Sequence, residues 1–399
     1  MFTTRLRCLT AGESHGPSLT GILDGMPAGL PLSAAVIDRD LARRQQGFGA
    51  SGRMKIERDH ARITGGVQAG RTTGGPIAIG IDNRDHAHWA GREIPPMTIP
   101  RPGHADLSGA IKYGHRDLRL ALERASARET ALRVAFGACC RALLAEFGIA
   151  IGGYVTAIGG VAWDTGEPGI DAEALAARFD AAEASDVRCP DPAAASRMRE
   201  AIAAAIRERD TLGGVVEVAA LRVPAGLGSY VQTERRLDAR LAGALMAIPA
   251  VKAVEVGLGV AAAARRGTAA QDAIEASGDA LVRPTNRAGG IEGGISNGMP
   301  VVVRIALKPI ATTLTPQRSV DLATGAAAAT NYERSDFCQV PRAVPIAEAA
   351  LALVLADALL DKLGGDSLDE LRPRFATLRA ARLSHLPMDA RPWSFGYEA

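Results

Sequence analysis

A mixed fold of strands and helices in one large domain is what the sequence predicts, and two observations carry it. Short apolar runs rich in Val and Ile alternate with segments of helical periodicity along the chain. A strand, the turn Pro27-Ala-Gly-Leu30 and a helix containing Asp40-Leu-Ala-Arg-Arg44 also recur, as a strand, Pro224-Ala-Gly-Leu227 and a helix containing Leu237-Asp-Ala-Arg240. The same turn and order, at nearly the same spacing, describe a duplicated unit with pseudo-twofold symmetry. Its period is too long for a solenoid, and it suits one large domain better than two independent ones.

Taken in order, Leu19 to Asp24 reads as a strand, Gly25 to Pro31 as a turn and Ser33 to Arg44 as a helix. Ser33 is the expected N-cap, and Val36, Ile37 and Leu41 share one face. Gln45 to Gly52 is a Gly-rich loop, followed by strands over 61–67 and 75–82. Between Arg101 and Arg119 stand two histidines, two aspartates, three arginines, a lysine and a tyrosine between Gly and Pro breaks. That loop delivers the chain through Glu123 to Thr130 into a helix carrying apolar Ala131 to Phe147. Free N–H groups at such a helix start suit a phosphate or a carboxylate, although a plain solvated loop fits the same residues. Further on, strands are expected over 150–159, 215–223, 251–260 and 301–307. Helices are expected over 171–184, 192–209, 233–248 and 344–363, the last strongly apolar.

Composition narrows the function. Apolar residues at 47% and charged residues at 23% are those of a soluble globular chain. A net charge of +2 and 4% aromatics leave neither the basic excess nor the stacking side chains of a general nucleic-acid binder. Only five of the 46 basic residues are lysine, and arginine is the side chain that grips phosphate and carboxylate bidentately. No charged-then-apolar leader precedes Gly12, and no uninterrupted apolar run reaches the about 18 residues of a membrane span. The five cysteines are odd in number and lack metal spacing. A cytoplasmic protein with reduced thiols and no bound metal is expected.

Gly12-Glu-Ser-His-Gly16 and Pro102-Gly-His-Ala-Asp106 each set a histidine in a rigid Gly-flanked loop, so His15 and His104 are candidates for an acid–base pair. The alternative is a polar turn with an incidental histidine. His60, His86, His88, His115 and His385 read as surface or core residues. The run Asn286 to Gly298 is too Gly-dense for an ordinary strand or helix and suits backbone amides laid against a flat or phosphorylated ligand. It is neither a dinucleotide fingerprint nor a P-loop. Lys308-Pro-Ile-Ala-Thr-Thr313 supplies a cation and hydroxyls after a strand. Asp336, in Arg334-Ser-Asp-Phe-Cys338, reads equally as a site carboxylate or as a helix-approach carboxylate paired to Arg334.

Five strings, in order, resemble the signatures of the chorismate synthase family: Gly12 to Gly16, Arg101 to Asp106, Arg124-Ala-Ser-Ala-Arg-Glu-Thr130, Gly289 to Gly298, and Arg334 to Cys338. The likeness runs from Leu9 to about Leu363. It implies an α+β fold, a β-α-β sandwich with helices between two antiparallel sheets and an internal pseudo-twofold repeat. One catalytic domain over 1–363 and a C-terminal tail over 364–399 are expected, assembled as a homotetramer.

The implied activity converts 5-enolpyruvylshikimate 3-phosphate to chorismate by 1,4-anti elimination of phosphate, with reduced FMN and no net redox change. NADPH enters only indirectly, to reduce the flavin. A flavin-dependent oxidoreductase using the same pocket is the alternative. By resemblance, His15, His104 and Asp336 are catalytic, with Ser14 and Ser126 supporting proton transfer. FMN falls to Arg124, Ala125, Ser126, Pro249, Ala250, Gly293, Lys308, Pro309, Ile310, Ala311, Thr312 and Arg334. Substrate or pyridine nucleotide falls to Arg44, Arg53 and Arg128. Arg39, Arg43 and Arg101 add to the cationic load that a substrate with two carboxylates and a phosphate requires. One position departs from the pattern: Ala50 stands where the family usually places an arginine, with Arg53 nearby.

Overall fold

The structure, a computed structural model, describes residues 3–50, 58–333 and 335–397. Strands β1 (Arg7–Ala11), β2 (Ser18–Asp24), β3 (Ala61–Gly65) and β4 (Ile77–Asp82) form an antiparallel sheet in the order β1-β2-β4-β3. Strand periodicity puts Ile77, Ile79 and Ile81 of β4 inside, together with Leu19 and Leu23 of β2. Helix α1 (Ala34–Gln45) leads from β2 towards β3. Ser33 holds its N-cap position in extended conformation, yet its side chain makes no capping bond.

Strands β5 (Ala150–Ile158), β6 (Val161–Ala162), β7 (Gly214–Leu221), β8 (Val251–Val256) and β9 (Val301–Leu307) form a second antiparallel sheet, ordered β8-β9-β7-β5-β6. The central strand β7 is buried without interruption from Val216 to Leu221, as expected where both faces are covered.

The helices of seven residues or more after α1 are α2 (Asp106–Tyr113), α3 (Arg119–Ala125), α4 (Thr130–Ala145), α5 (Ala172–Glu183), α6 (Pro192–Glu208), α7 (Leu237–Met246), α8 (Val340–Leu363) and α9 (Leu368–Ala376). Helix α4 lies on β2 and β4 of the first sheet, α8 lies on β5 and β7 of the second, and the two helices pack against one another. The axes come close because small residues face each other: a Cβ on Gly137 would lie 2.2 Å from that of Ala349.

The recurrent turn is held the same way twice. Thr72 Oγ1 donates to Pro27 O and accepts from Leu30 N–H at 2.5 and 2.9 Å. Ser296 Oγ does the same for Pro224 O and Leu227 N–H at 2.6 and 2.8 Å. Each hydroxyl residue sits in a short hairpin, Val67–Thr72 or Ile291–Ser296, so the echoed four residues mark an echoed local structure.

Two expectations are corrected. Helix α8 begins at Val340, ahead of Val344, because Pro341 in its first turn costs no hydrogen bond. By length and composition α8 is also apolar enough to cross a membrane, but 83% of that stretch is buried inside the protein, as in a core helix. Arg124 and Ala125 end the short helix α3, and the long helix starts only at Thr130, so they do not stand at its N-terminus. Beyond 363 the chain stays packed through α9, where Leu368 and Leu371 join the main core and a capping box of Ser367 and Glu370 sets the helix start.

Candidate active site

The loop between β1 and β2 carries His15, and neighbouring side chains fix it tightly. Asn83 Nδ2 donates to the carbonyls of Ser14 and Gly16 at 2.8 and 2.9 Å, and His86 Nδ1 donates to that of His15 at 2.9 Å. The Trp89 ring lies 4.6 Å from the His15 ring. Glu123 engages the backbone N–H and Nδ1 of His15 at 2.7 and 2.6 Å. Ser126 Oγ donates to Ser14 Oγ at 3.1 Å, which joins this loop to the end of α3.

A second loop carries His104. Its Nδ1 lies 2.5 Å from Asp106 Oδ1, and Asp106 is fully buried at the start of α2. Arg101 binds the same carboxylate through Nε and Nη2 at 2.8 and 3.0 Å. Burial alone would raise the Asp106 carboxyl, but hydrogen bonds from His104 and Arg101 hold it well below the ordinary carboxylate range. Arg101 Nη1 then reaches Thr312 Oγ1 at 2.9 Å, and Lys308 Nζ donates to Gly103 O, so the His104 loop is tied to the segment after β9. Burial and the nearby Lys252 lower the Lys308 ammonium.

These loops open on one cavity of about 740 Å³. His15, His104, Ser14, Ala125, Ser126, Arg44, Arg128, Pro249, Ala250, Asp336 and the run Lys308 to Thr312 all line it. Ala250 adopts a left-handed φ of 72°, a sparsely populated conformation for a residue with a Cβ, and its carbonyl accepts from Lys308 N–H at 3.0 Å. Arg44 is buried beside Thr130 Oγ1 and Ala127 O, both at 3.0 Å. Burial and the neighbouring Arg342 push its guanidinium down to about 9, against the opposing pull of Asp59.

Other expected residues fall elsewhere. Arg124 turns away to the carbonyls of Thr10 and Gly12 at 2.9 and 3.2 Å and does not line the cavity. Gly293 sits in the turn of the 291–296 hairpin, also off the cavity wall. Arg53 and Arg334 lie outside the described residues. Arg43 is committed to Glu348 and Glu183 at 2.6 Å each, and Arg39 stands at the surface beside Asp40.

Some lining residues were not anticipated. Arg342 pairs with Asp336 and donates from Nε to Arg44 O at 3.0 Å. Trp89, Lys252 and Gln339 complete much of the wall. Arg342 follows Asp336 by a helix entry, and that proximity was the one available signal. Trp89 caps the C-terminal end of a 3₁₀ turn over Arg84–His88 in which His86 braces the His15 loop, and nothing local in the sequence announces it.

Chemically, the cavity offers two imidazoles whose Nδ1 atoms are occupied by carboxylates, a cationic lining for anions, and an apolar wall of Ile248, Val251, Leu307 and Ile310. A family profile described as chorismate synthase matches residues 6–360. A chorismate synthase of Symbiobacterium thermophilum is 52% identical, over 93% of this chain and 97% of the relative. That of Desulforudis audaxviator is 54% identical, over 92% and 95%. A crystal structure described as chorismate synthase superposes with a TM-score of 0.78 at 44% identity, covering 94% of this chain and 97% of that one.

Proposed function

Because the chain belongs to the chorismate synthase family, lyases of the shikimate pathway, we propose that its cavity takes reduced FMN together with 5-enolpyruvylshikimate 3-phosphate. The reaction is 1,4-anti elimination of phosphate to give chorismate without net redox change. The observation that supports this most is the meeting of His15 and His104, from distant loops, in one cavity lined by Arg44, Arg101, Arg128, Lys308 and Arg342.

The residues present fit such ligands. A volume of about 740 Å³ lies in the range of cofactor and substrate sites. Ala125, Ser126, Pro249, Ala250 and Lys308 to Thr312 offer an apolar wall, backbone and hydroxyl groups and one ammonium for the flavin. Arg44 and Arg128 offer paired cations for the substrate's anionic groups, which cost several kcal/mol each if buried unpaired. When bound, the reduced flavin would lend electron density to the breaking C–O bond and recover it.

His15 is assigned to the proton delivered to the departing phosphate. His104 is assigned to the proton of the anionic reduced flavin, and Asp336 to the proton at flavin N5, with Arg342 orienting that carboxylate. Ser14 and Ser126, bonded to each other, extend the proton path from the His15 loop. NADPH serves only to regenerate reduced flavin. The family reading further implies a cytoplasmic homotetramer and a two-sheet sandwich with internal twofold symmetry, to which the twice-built turn lends support.

An anaerobic assay with photoreduced FMN and the phosphorylated enolpyruvyl substrate tests the reading. Chorismate and phosphate formed in excess over reductant are expected. Stoichiometric consumption of NAD(P)H without chorismate would overturn it in favour of a flavin oxidoreductase.

A further inference from the structure

Glu123 does not line the cavity, yet it controls how His15 meets it. Its two carboxylate oxygens are both spent on that one residue: Oε2 accepts the His15 backbone N–H at 2.7 Å, and Oε1 lies 2.6 Å from Nδ1. The Glu123 backbone carbonyl accepts Ser14 N–H at 3.1 Å, so one residue of α3 grips the loop at three points. We propose that Glu123 is the positioning residue of His15, fixing its ring so that Nδ1 carries a proton and Nε2 faces the ligand. The proposal deepens the reading above, because it rests on His15 acting at the departing phosphate.

The assignment follows from donor and acceptor logic. A backbone N–H can only donate, so Oε2 is its acceptor. An ionised Oε1 can only accept, so Nδ1 must present N–H to it. Burial alone would raise the Glu123 carboxyl, but the bonds from His15 hold it below its ordinary value, which keeps it ionised at neutral pH. The other neighbours fix the main chain only: Asn83 and His86 bond loop carbonyls, and Trp89 packs on the ring without a polar contact to it. Glu123 alone among the described residues hydrogen-bonds the His15 ring. His104 differs, since its Nδ1 faces both Asp106 Oδ1 at 2.5 Å and Arg101 Nη2 at 3.0 Å.

Glu123→Gln converts this logic into an experiment. The His15 backbone N–H still requires an acceptor, so the amide oxygen must stay there and the –NH2 group must turn to Nδ1. Nδ1 then accepts, and the ring proton moves to Nε2. Two-dimensional ¹⁵N correlation spectra of the histidine side chains should show His15 change from the Nδ1–H to the Nε2–H tautomer. In the anaerobic chorismate assay kcat should fall by at least about 10-fold and by up to about 10⁴-fold, because the imidazolium that delivers a proton from Nε2 carries N–H at Nδ1 as well and needs an acceptor there, which the turned –NH2 group does not offer. KM should stay within about threefold, because no substrate contact is removed.

Glu123→Asp, which keeps two acceptor oxygens, should retain the Nδ1–H tautomer and a higher rate than Glu123→Gln. Adding Glu123→Gln to His15→Ala should cost nothing further. An unchanged His15 tautomer in Glu123→Gln, or losses that multiply in the double variant, would overturn the proposal. If His15→Ala alone turns over at the wild-type rate, the catalytic assignment of His15 falls, and the tautomer spectra still decide whether Glu123 positions the ring.

Discussion

Asp106 Oδ1 stands 2.5 Å from His104 Nδ1, and the same carboxylate is held by both Nε and Nη2 of Arg101. A side chain with no exposed surface therefore carries a full charge that, among the described residues, these two partners balance. Removing it leaves the Arg101 guanidinium, itself buried, without its counter-ion. Asp106→Asn should destabilise the fold by about 3 kcal/mol at neutral pH. The sign with pH is fixed by a depressed folded-state pKa: the stabilisation is present above the unfolded carboxylate value of about 4 and is lost as pH falls towards the folded value. Urea denaturation from pH 7 to pH 3 should show wild type and variant converging below about pH 4. A gap independent of pH would contradict this account.

Arg44 also has a depressed folded-state pKa, but here the charged form is the one the fold disfavours. Burial and Arg342 push it down to about 9, so the charged guanidinium weakens the ligand-free fold at every pH below that value, and the penalty fades only as pH rises from about 9 towards 12.5. An anion in the cavity offsets the repulsion. Inorganic phosphate should therefore raise Tm in a saturable way, by the equivalent of about 2.7 kcal/mol at a hundredfold excess over Kd. Arg44→Gln should lose most of that rise while unfolding at a similar or higher temperature without phosphate, because the buried charge is gone. Differential scanning calorimetry over a phosphate series at pH 7 measures both, and an equal phosphate response in the two proteins would refute the role given to Arg44.

Gly137 decides how closely the two sheets can be brought together through α4 and α8. A methyl group there would sit 2.2 Å from Ala349 Cβ and 2.5 Å from its Cα, so backbone must move to admit it. Alanine gains about 1 kcal/mol over glycine in helix propensity. Overpacking of a close-packed core costs about 1 to 3 kcal/mol and more where backbone is the obstacle. Gly137→Ala should therefore lower stability and Tm despite its better propensity. A Tm equal to or above that of the wild type would show that the helices separate freely.

Most of the element order was legible because local pattern and tertiary burial agree: Asp171 and Asp191 cap α5 and α6, and the isoleucines of β4 alternate inward. Much of the site was legible too, since His15, His104, Asp336 and Lys308 stand in short strings of unusual composition. What local pattern could not give was the direction of an arginine. Arg43 and Arg44 are adjacent, yet the rotation of about 100° between successive helix residues sends Arg43 to Glu348 and Glu183 and Arg44 to the cavity. Arg124 lies beside two lining residues and points to β1. Arg342 lies ahead of the helix expected over 344–363, yet it stands in the first turn of α8 and pairs with Asp336, because that helix starts four residues earlier than its apolar run. Glu123 was hidden for the same reason: its partner His15 is distant in sequence and only the fold brings them together.

His15 and His104 provide the last test, because their surroundings separate rate from binding. Under the proposed function neither imidazole is the charge that would hold FMN, a role given to Lys308 with the hydroxyls of Ser126 and Thr312 in the same cavity. His15→Ala and His104→Ala should each lower kcat by about 10²- to 10⁴-fold, the range for a positioned acid–base group. The FMN Kd, read by flavin fluorescence under anaerobic conditions, should remain within a few-fold of wild type. Loss of flavin affinity with proportionate loss of rate would make the histidines binding groups. Wild-type turnover in either variant would remove that histidine from the chemistry. The two variants should also differ structurally: His104→Ala leaves Asp106 to Arg101 alone and keeps the buried pair intact, whereas His15→Ala removes the ring partner of Glu123 and leaves only its backbone contact.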